Sequence, residues 1–219
     1  MPQAAELHQL SLSLKTPSHH GSLLVPRLDV SSRSVQTDSL QFEASNTFEN
    51  NVQTKVRIAT PLKVSFENHM LAFNLNALET QLNIVAPQHL IHPLNLVGSG
   101  GVQAEIAQDQ TMKMATQLQG QVDQSPYSLH LKLARAAQFR VETALDIERL
   151  NLDSLMKPSA ASASKMGQDS KPKLTWAVSP NLDFEGKLHA GTLTFSGIQM
   201  QQLNLVATSK NGRLSIQKQ

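Results

Sequence analysis

Histidines, carboxylates and a glycine cluster are the residues of this chain best suited to chemistry. His19-His20 and His89-x-x-His92 are the close histidine pairs, and either could begin a metal site. A metal needs at least a third ligand in suitable geometry, and neither pair brings one in sequence. His89 and His92 lie between Pro87 and Pro93, a setting that reads as a loop crossing. Gly98-Ser99-Gly100-Gly101 resembles a phosphate loop or a nucleophile elbow at first sight. No Lys-Ser/Thr follows it, no helix opens there and no G-x-S-x-G is present, so it reads as a flexible hairpin turn. Asp146, Glu148 and Asp153 are carboxylates near one another. Asp146 and Glu148 share the wet side of an alternating segment, which fits solvation better than acid/base catalysis. Arg27, Arg33, Lys55 and Arg57 are scattered cations that fit a solvated face or a rim meeting lipid head groups. With no cysteine, disulfides, thiolate chemistry and Cys-ligated zinc are excluded. These constellations support neither an enzyme nor a cofactor or metal site.

The elements that would position any site are strands. Period-two alternation dominates the chain and puts apolar side chains on one face of a strand and polar ones on the other. Leu10, Leu12 and Leu14 alternate with serines, and Leu129, Leu131 and Leu133 with His130 and Lys132. Phe139, Val141, Leu145 and Ile147 alternate with Arg140, Glu142, Asp146 and Glu148. Breakers fall between the runs, among them Thr60-Pro61, Gly98 to Gly101 and Ser196-Gly197. Such spacing predicts an all-β, antiparallel, locally connected chain of roughly 15–17 strands. After Ile147 the alternation gives way to a turn or short helix.

Composition agrees with that class. The 219 residues are 40% hydrophobic and 16% charged, the opposite of a disordered chain, and suffice for a sizeable core. A net charge of +2 supplies no strong field for nucleic acid, and 4% aromatics argue against a base-stacking surface. No apolar run approaches the ~20 residues of a spanning helix. The first residues also lack a signal peptide's basic start and apolar stretch. Lys157 to Lys173 is small and polar, with Pro158 and Pro172 near its ends, and reads as a flexible low-complexity loop. The expected organisation is a β-rich segment over 1–156, the loop over 157–173 and a β-rich tail over 174–219, with Leu174, Trp176 and Val178 on a strand. Alternation leaves the sheet's shape open. A closed sandwich, a barrel and an open trough all need one oily and one wet face.

The tail carries a resemblance. It reads as an alternating strand with Gly186 and Leu188, a G-x-L-x-φ-x-G-φ-x-φ element, a φ-x-φ strand and an Asn-Gly closing hairpin. The element is carried by Gly191, Leu193, Phe195, Gly197, Ile198 and Met200. The strand is carried by Leu203 and Leu205, and the hairpin by Asn211, Gly212, Leu214 and Ile216. Upstream, Leu145-Asp146-Ile147-Glu148-Arg149-Leu150-Asn151-Leu152-Asp153-Ser154-Leu155 matches an L-D-x-φ-D-x-L-D-L-D-x-Y-L stretch, with Leu155 near the place of the aromatic. In this ordered combination the chain resembles the C-terminal region of the AsmA family over about Phe139 to Ile216. Family members usually begin with a membrane helix and continue past the hairpin with a Tyr-Gly-Gly-type strand. Neither is present, so the resemblance implies a piece of a longer protein.

The family resemblance implies a long twisted β-sheet curled into an open apolar groove. It also implies a periplasmic protein anchored to the inner membrane by a helix absent from this chain. The implied role is carrying phospholipid acyl chains between membranes for outer-membrane biogenesis and homeostasis, with possible envelope protein partners. The residues expected to line the groove in the tail are Leu182, Phe184, Leu188, Leu193, Phe195, Ile198, Met200, Leu203, Leu205, Leu214 and Ile216. A change of parity at Gly191 or Gly197 would turn a few of them outward. The competing expectations are a closed sandwich interaction module and an assembly scaffold for outer-membrane proteins, both without lipid cargo.

Overall fold

Alternating segments this long form strands, and each buries its apolar face best beside others of the same pattern. The computed structural model describes residues 4–48, 51–136, 138–157, 182–210 and 212–218. They form one 12-stranded sheet whose spatial order is the chain order. The strands are β1 (Ala4–Lys15), β2 (His19–Ser31), β3 (Ser34–Thr47), β4 (Gln53–Glu67), β5 (Met70–Val85) and β6 (Leu94–Ala107). They continue as β7 (Met112–Val122), β8 (Ser125–Arg135) and β9 (Phe139–Asn151). A single helical turn, α1 (Leu152–Leu155), precedes β10 (Leu182–Phe195), β11 (Ile198–Lys210) and β12 (Arg213–Lys218). The sheet is twisted and curled, and it does not close into a barrel. Among the described residues there is no second sheet, so the closed sandwich and barrel are set aside.

The strands are fewer and longer than the breakers suggested. From β1 to β11 they run from 11 to 16 residues, roughly 36–53 Å at ~3.3 Å per residue. Twelve at ~4.8 Å spacing extend the sheet to roughly 53 Å, short of the ~75 Å that 16 would give. Two assumed turns explain part of the difference, and one expected strand lies outside the described residues. Thr60-Pro61 lies inside β4, at a gap in pairing where the missing proline N–H is tolerated. Gly98 to Gly101 lies inside β6, not in a hairpin turn. A Cβ at Gly100 would meet the Gln117 carbonyl oxygen of β7, and one at Gly98 would meet the Tyr127 hydroxyl. These glycines admit close neighbours; they do not reverse the chain.

Pairing is antiparallel except between β9 and β10, which run parallel with Leu145 beside Leu188 and Ile147 beside Ala190. A parallel neighbour needs a crossover, which hairpin spacing does not reveal. It consists of α1 and the segment after it. The expected loop, from residue 158 on, and the expected strand of Leu174, Trp176 and Val178 lie outside the described residues.

Irregularities keep one face apolar where sequence parity changes. In β5 the run Leu71, Phe73, Leu75 changes to Leu78, Leu82, Ile84. Ala77, at φ 55°, sits in the register shift between Leu75 and Leu78. β3 shifts between Thr37 and Leu40 in the same way. An L-residue at positive φ costs roughly 1 kcal/mol. Each shift returns several aliphatics to the inner face, which more than offsets it.

Candidate functional site

Residues directly paired across a ladder share a face, so the register traces that face row by row. One row links Leu23, Phe42, Ile58, Thr80, Gly98 and Gly120 from β2 to β7. It continues through Tyr127, Ile147, Ala190 and Leu203 on β8 to β11. A second row runs nearer the other strand ends, from Val35 and Val64 through Phe73, Ala104 and Met114. It reaches Leu133, Val141, Phe184, Ser209 and Leu214. The opposite face carries half-buried Glu43 paired with exposed Arg57 at 2.8 Å and exposed Lys187 paired with exposed Glu185 at 2.9 Å. Lys55, on that face as well, is also exposed. Arg27 pairs with Glu6 and Asp29 at 2.9 and 3.1 Å.

The apolar face is not uniform along the strands. Tyr127, Ile147, Ala190 and Leu203 are buried together, with Leu129, Leu145, Leu150, Leu193 and Leu205 packed around them. In the second row Val64 and Ser209 are buried, whereas Met114, Leu133, Val141 and Phe184 between them are only half-buried. The chain's own side chains therefore pack the face around Tyr127 and Ile147 and leave it more open from Met114 to Phe184. Tyr127 spans Gly120 and Gly98 at the floor. Its hydroxyl is buried without a hydrogen-bond partner, and burial pushes its pKa up.

The register puts Leu182, Phe184, Leu188, Leu203, Leu205, Leu214 and Ile216 on this face, and Leu193, which packs against the buried cluster, brings its neighbours Phe195, Ile198 and Met200 to the same side. Leu182, Phe184 and Leu188 alternate on β10, Leu188 between Leu145 and Leu205. Past Gly191 the parity changes, and Leu193 sits between Leu150 and Met200. On β11 Gln202, at φ 51°, makes the matching change between Met200 and Leu203. Gly197, at φ 72°, belongs to the turn and changes no strand's parity. Leu203 is 7% exposed and packs into the cluster. Phe195 and Ile198 meet beside the β10–β11 turn at 49% and 62% exposure, and Ile216 is equally open on the short strand β12. Leu214 pairs with Ser209 and is half-buried.

The two ends of the groove differ. At the β5–β6 end, a strap joins the β5–β6 connection to the residues after α1. The Ile91 amide donates to the Leu155 carbonyl, and the Lys157 amide to the His89 carbonyl, both at 2.8 Å. Leu90 bridges Met156, and Leu155 and Ala86 are buried. Asp153 ties the same end to the β10–β11 turn, accepting from the Ser196 and Gly197 amides at 2.6 and 2.7 Å. The other end has no such strap among the described residues.

The residues first weighed for chemistry are occupied elsewhere. His89 and His92 sit in the strapped connection. His19 Nδ1 meets Asn46 Oδ1 at 2.9 Å. Asp146 pairs with His189 at 2.8 Å and Glu148 with Arg149 at 3.3 Å. The His189 hydrogen bond to Asp146, then one to Gln202, raises the imidazole pKa. Among the described residues no group of three His, Cys, Asp or Glu is placed to hold a metal, and no helix is long and apolar enough to cross a membrane. The His189–Asp146 pair and the Asp153 clamp join residues 43 or 44 positions apart, beyond the reach of any local spacing rule. No protein-family model, curated protein or solved structure matches this chain.

Proposed function

We propose that this chain binds phospholipid acyl chains along the open part of its apolar face, as a segment of a lipid-carrying groove in the cell envelope. One observation carries the reading: a 12-stranded sheet with an apolar face that no second layer of the described residues covers. A ~16-carbon chain exposed to water loses about 12 kcal/mol, so it crosses an aqueous gap only along an apolar surface. Half-buried aliphatics and methionines suit such cargo because dispersion contacts are not directional. The resemblance of Phe139 to Ile216 to the AsmA family supports the same reading. It also supports a periplasmic setting, an inner-membrane anchor outside this chain and a part in outer-membrane homeostasis.

Photoreactive residues at Leu133 and Val141, on the open part of the apolar face, are expected to crosslink co-purified phospholipid. One at Lys187, on the opposite face, is expected not to. Crosslinking at Lys187 alone would reject the assigned face, and none at any of the three would reject lipid cargo. The 12-residue edge of β1, which no other described strand pairs, supports a second reading, strand pairing with a partner protein.

A further inference from the structure

Arg135 is out of place. It ends β8, where alternation from Tyr127 through Leu129, Leu131 and Leu133 is unbroken, and its cross-strand partners are Met112 and Phe139. It therefore stands on the apolar face. Among the side chains described there it is the one that carries a charge. The end row around it is otherwise Leu71, Ile106, Met112, Phe139 and Leu182.

We propose that Arg135 anchors the phosphate of a phospholipid whose acyl chains lie along the groove, so that the open end selects phosphate-bearing amphiphiles over neutral ones. This rests on the lipid-groove reading and names the head-group chemistry of that site. The Arg135 guanidinium lies 5.2 Å from the centre of the Phe139 ring. Stacking on an aromatic face holds the cation in place and leaves its N–H edges free for a planar, two-point grip on phosphate oxygens. Arg135 is exposed and makes no ion pair with a described carboxylate, whereas Arg27 has two and Arg57 and Arg149 have one each. Arg33, Arg140, Lys210 and Arg213 stand at the same strand ends with Glu67, Asp109 and Asp183, so charges of both signs ring that end and Arg135 is set apart by its place on the apolar side.

The length fits as well. From Arg135 to Tyr127 the strand rises about 26 Å, whereas one leaflet's hydrocarbon is about 15 Å thick. A lipid held at Arg135 thus lays its tails over the half-buried stretch of the face and ends before the packed cluster around Tyr127 and Ile147. The strap occupies the far end, so a wet head group belongs at the open one.

The test uses the full chain with fluorescent-tailed phosphatidylglycerol, the diacylglycerol of the same tails and the free fatty acid, at ~0.05 and ~0.5 M salt. Arg135→Gln is expected to weaken phosphatidylglycerol binding about tenfold at low salt and diacylglycerol binding less than twofold. Arg135→Lys should recover part of the loss, and Arg140→Gln, on the polar face, should change little. Inorganic phosphate competing with the phospholipid but not with diacylglycerol would support the phosphate assignment. If the unaltered chain binds both lipids and Arg135→Gln weakens neither, the anchor is overturned and the groove stands. If neither lipid binds, groove and anchor fall together. Equal dependence of the free fatty acid on Arg135 would overturn the choice of phosphate in favour of any anion.

Discussion

Among single residues, Tyr127 shows how the groove floor is built. Its ring covers the space over Gly98 and Gly120, but its hydroxyl is buried without a partner. A buried donor left unpaired costs about 1–3 kcal/mol, while the ring's packing is favourable. Tyr127→Phe keeps the ring and removes the orphan. It is expected to leave the melting temperature unchanged or raise it, by up to about 1 kcal/mol in stability. A loss above about 1 kcal/mol in denaturant unfolding would mean that the hydroxyl has a partner. Gly98 could not be read this way from sequence. A glycine cluster looks the same whether it turns the chain or admits a ring from two strands away, and only the register decides.

Among elements, the parallel seam between β9 and β10 is the distinctive feature. Hairpin neighbours are held together by their turns, and this pair has none. Polar links take over: His189 with Asp146 on the wet face and Asp153 with the β10–β11 turn at the end. The imidazole pKa is raised by the Asp146 hydrogen bond, so the folded chain favours the protonated ring. That contribution is fully present below the ordinary imidazole value of 6.5 and is lost as pH rises through the raised value. An NMR titration is expected to place His189 above 6.5, and Asp146→Asn to lower it. A titration unmoved by that substitution would remove the link from the seam. The strands themselves were legible, because alternation such as Leu129, Leu131 and Leu133 has one reading on a half-wet sheet. The seam was not, because its partners lie far apart in sequence. Strand lengths were misjudged because Pro61 and Gly100 stop a local reading but not a ladder that tolerates a gap or needs a bare backbone. Of the candidate site, the eleven apolar tail residues, two of them the aromatics Phe184 and Phe195, could be named from sequence, but whether parity changes past Gly191 could not be decided from it. Leu203's burial and the cation at Arg135 needed neighbours from β9 and β10 to be seen.

For the whole molecule, a curled sheet that no second layer of the described residues covers separates stability from cargo along its own strands. Where the groove is packed, around Ile147, Ala190 and Leu203, the apolar face acts as an ordinary core. Where it is open, along Met114, Leu131 and Val141, the same residue types are half-buried and wait for other contacts. A closed sandwich would make both regions equally sensitive to truncation. Here Ile147→Ala is expected to lower stability by about 2–4 kcal/mol, since it leaves a cavity the surroundings only partly refill. Leu131→Gln should lower it by less than about 1 kcal/mol, because its partners Thr116 and Thr143 leave the site wet on one side. Lipid retention should change in the opposite order: Leu131→Gln interrupts the open path, and Ile147→Ala lies beyond the tails. Urea unfolding and lipid co-purification on the same two variants measure both orders. Equal destabilisation would mean that the groove is filled from end to end, leaving no room for an acyl chain.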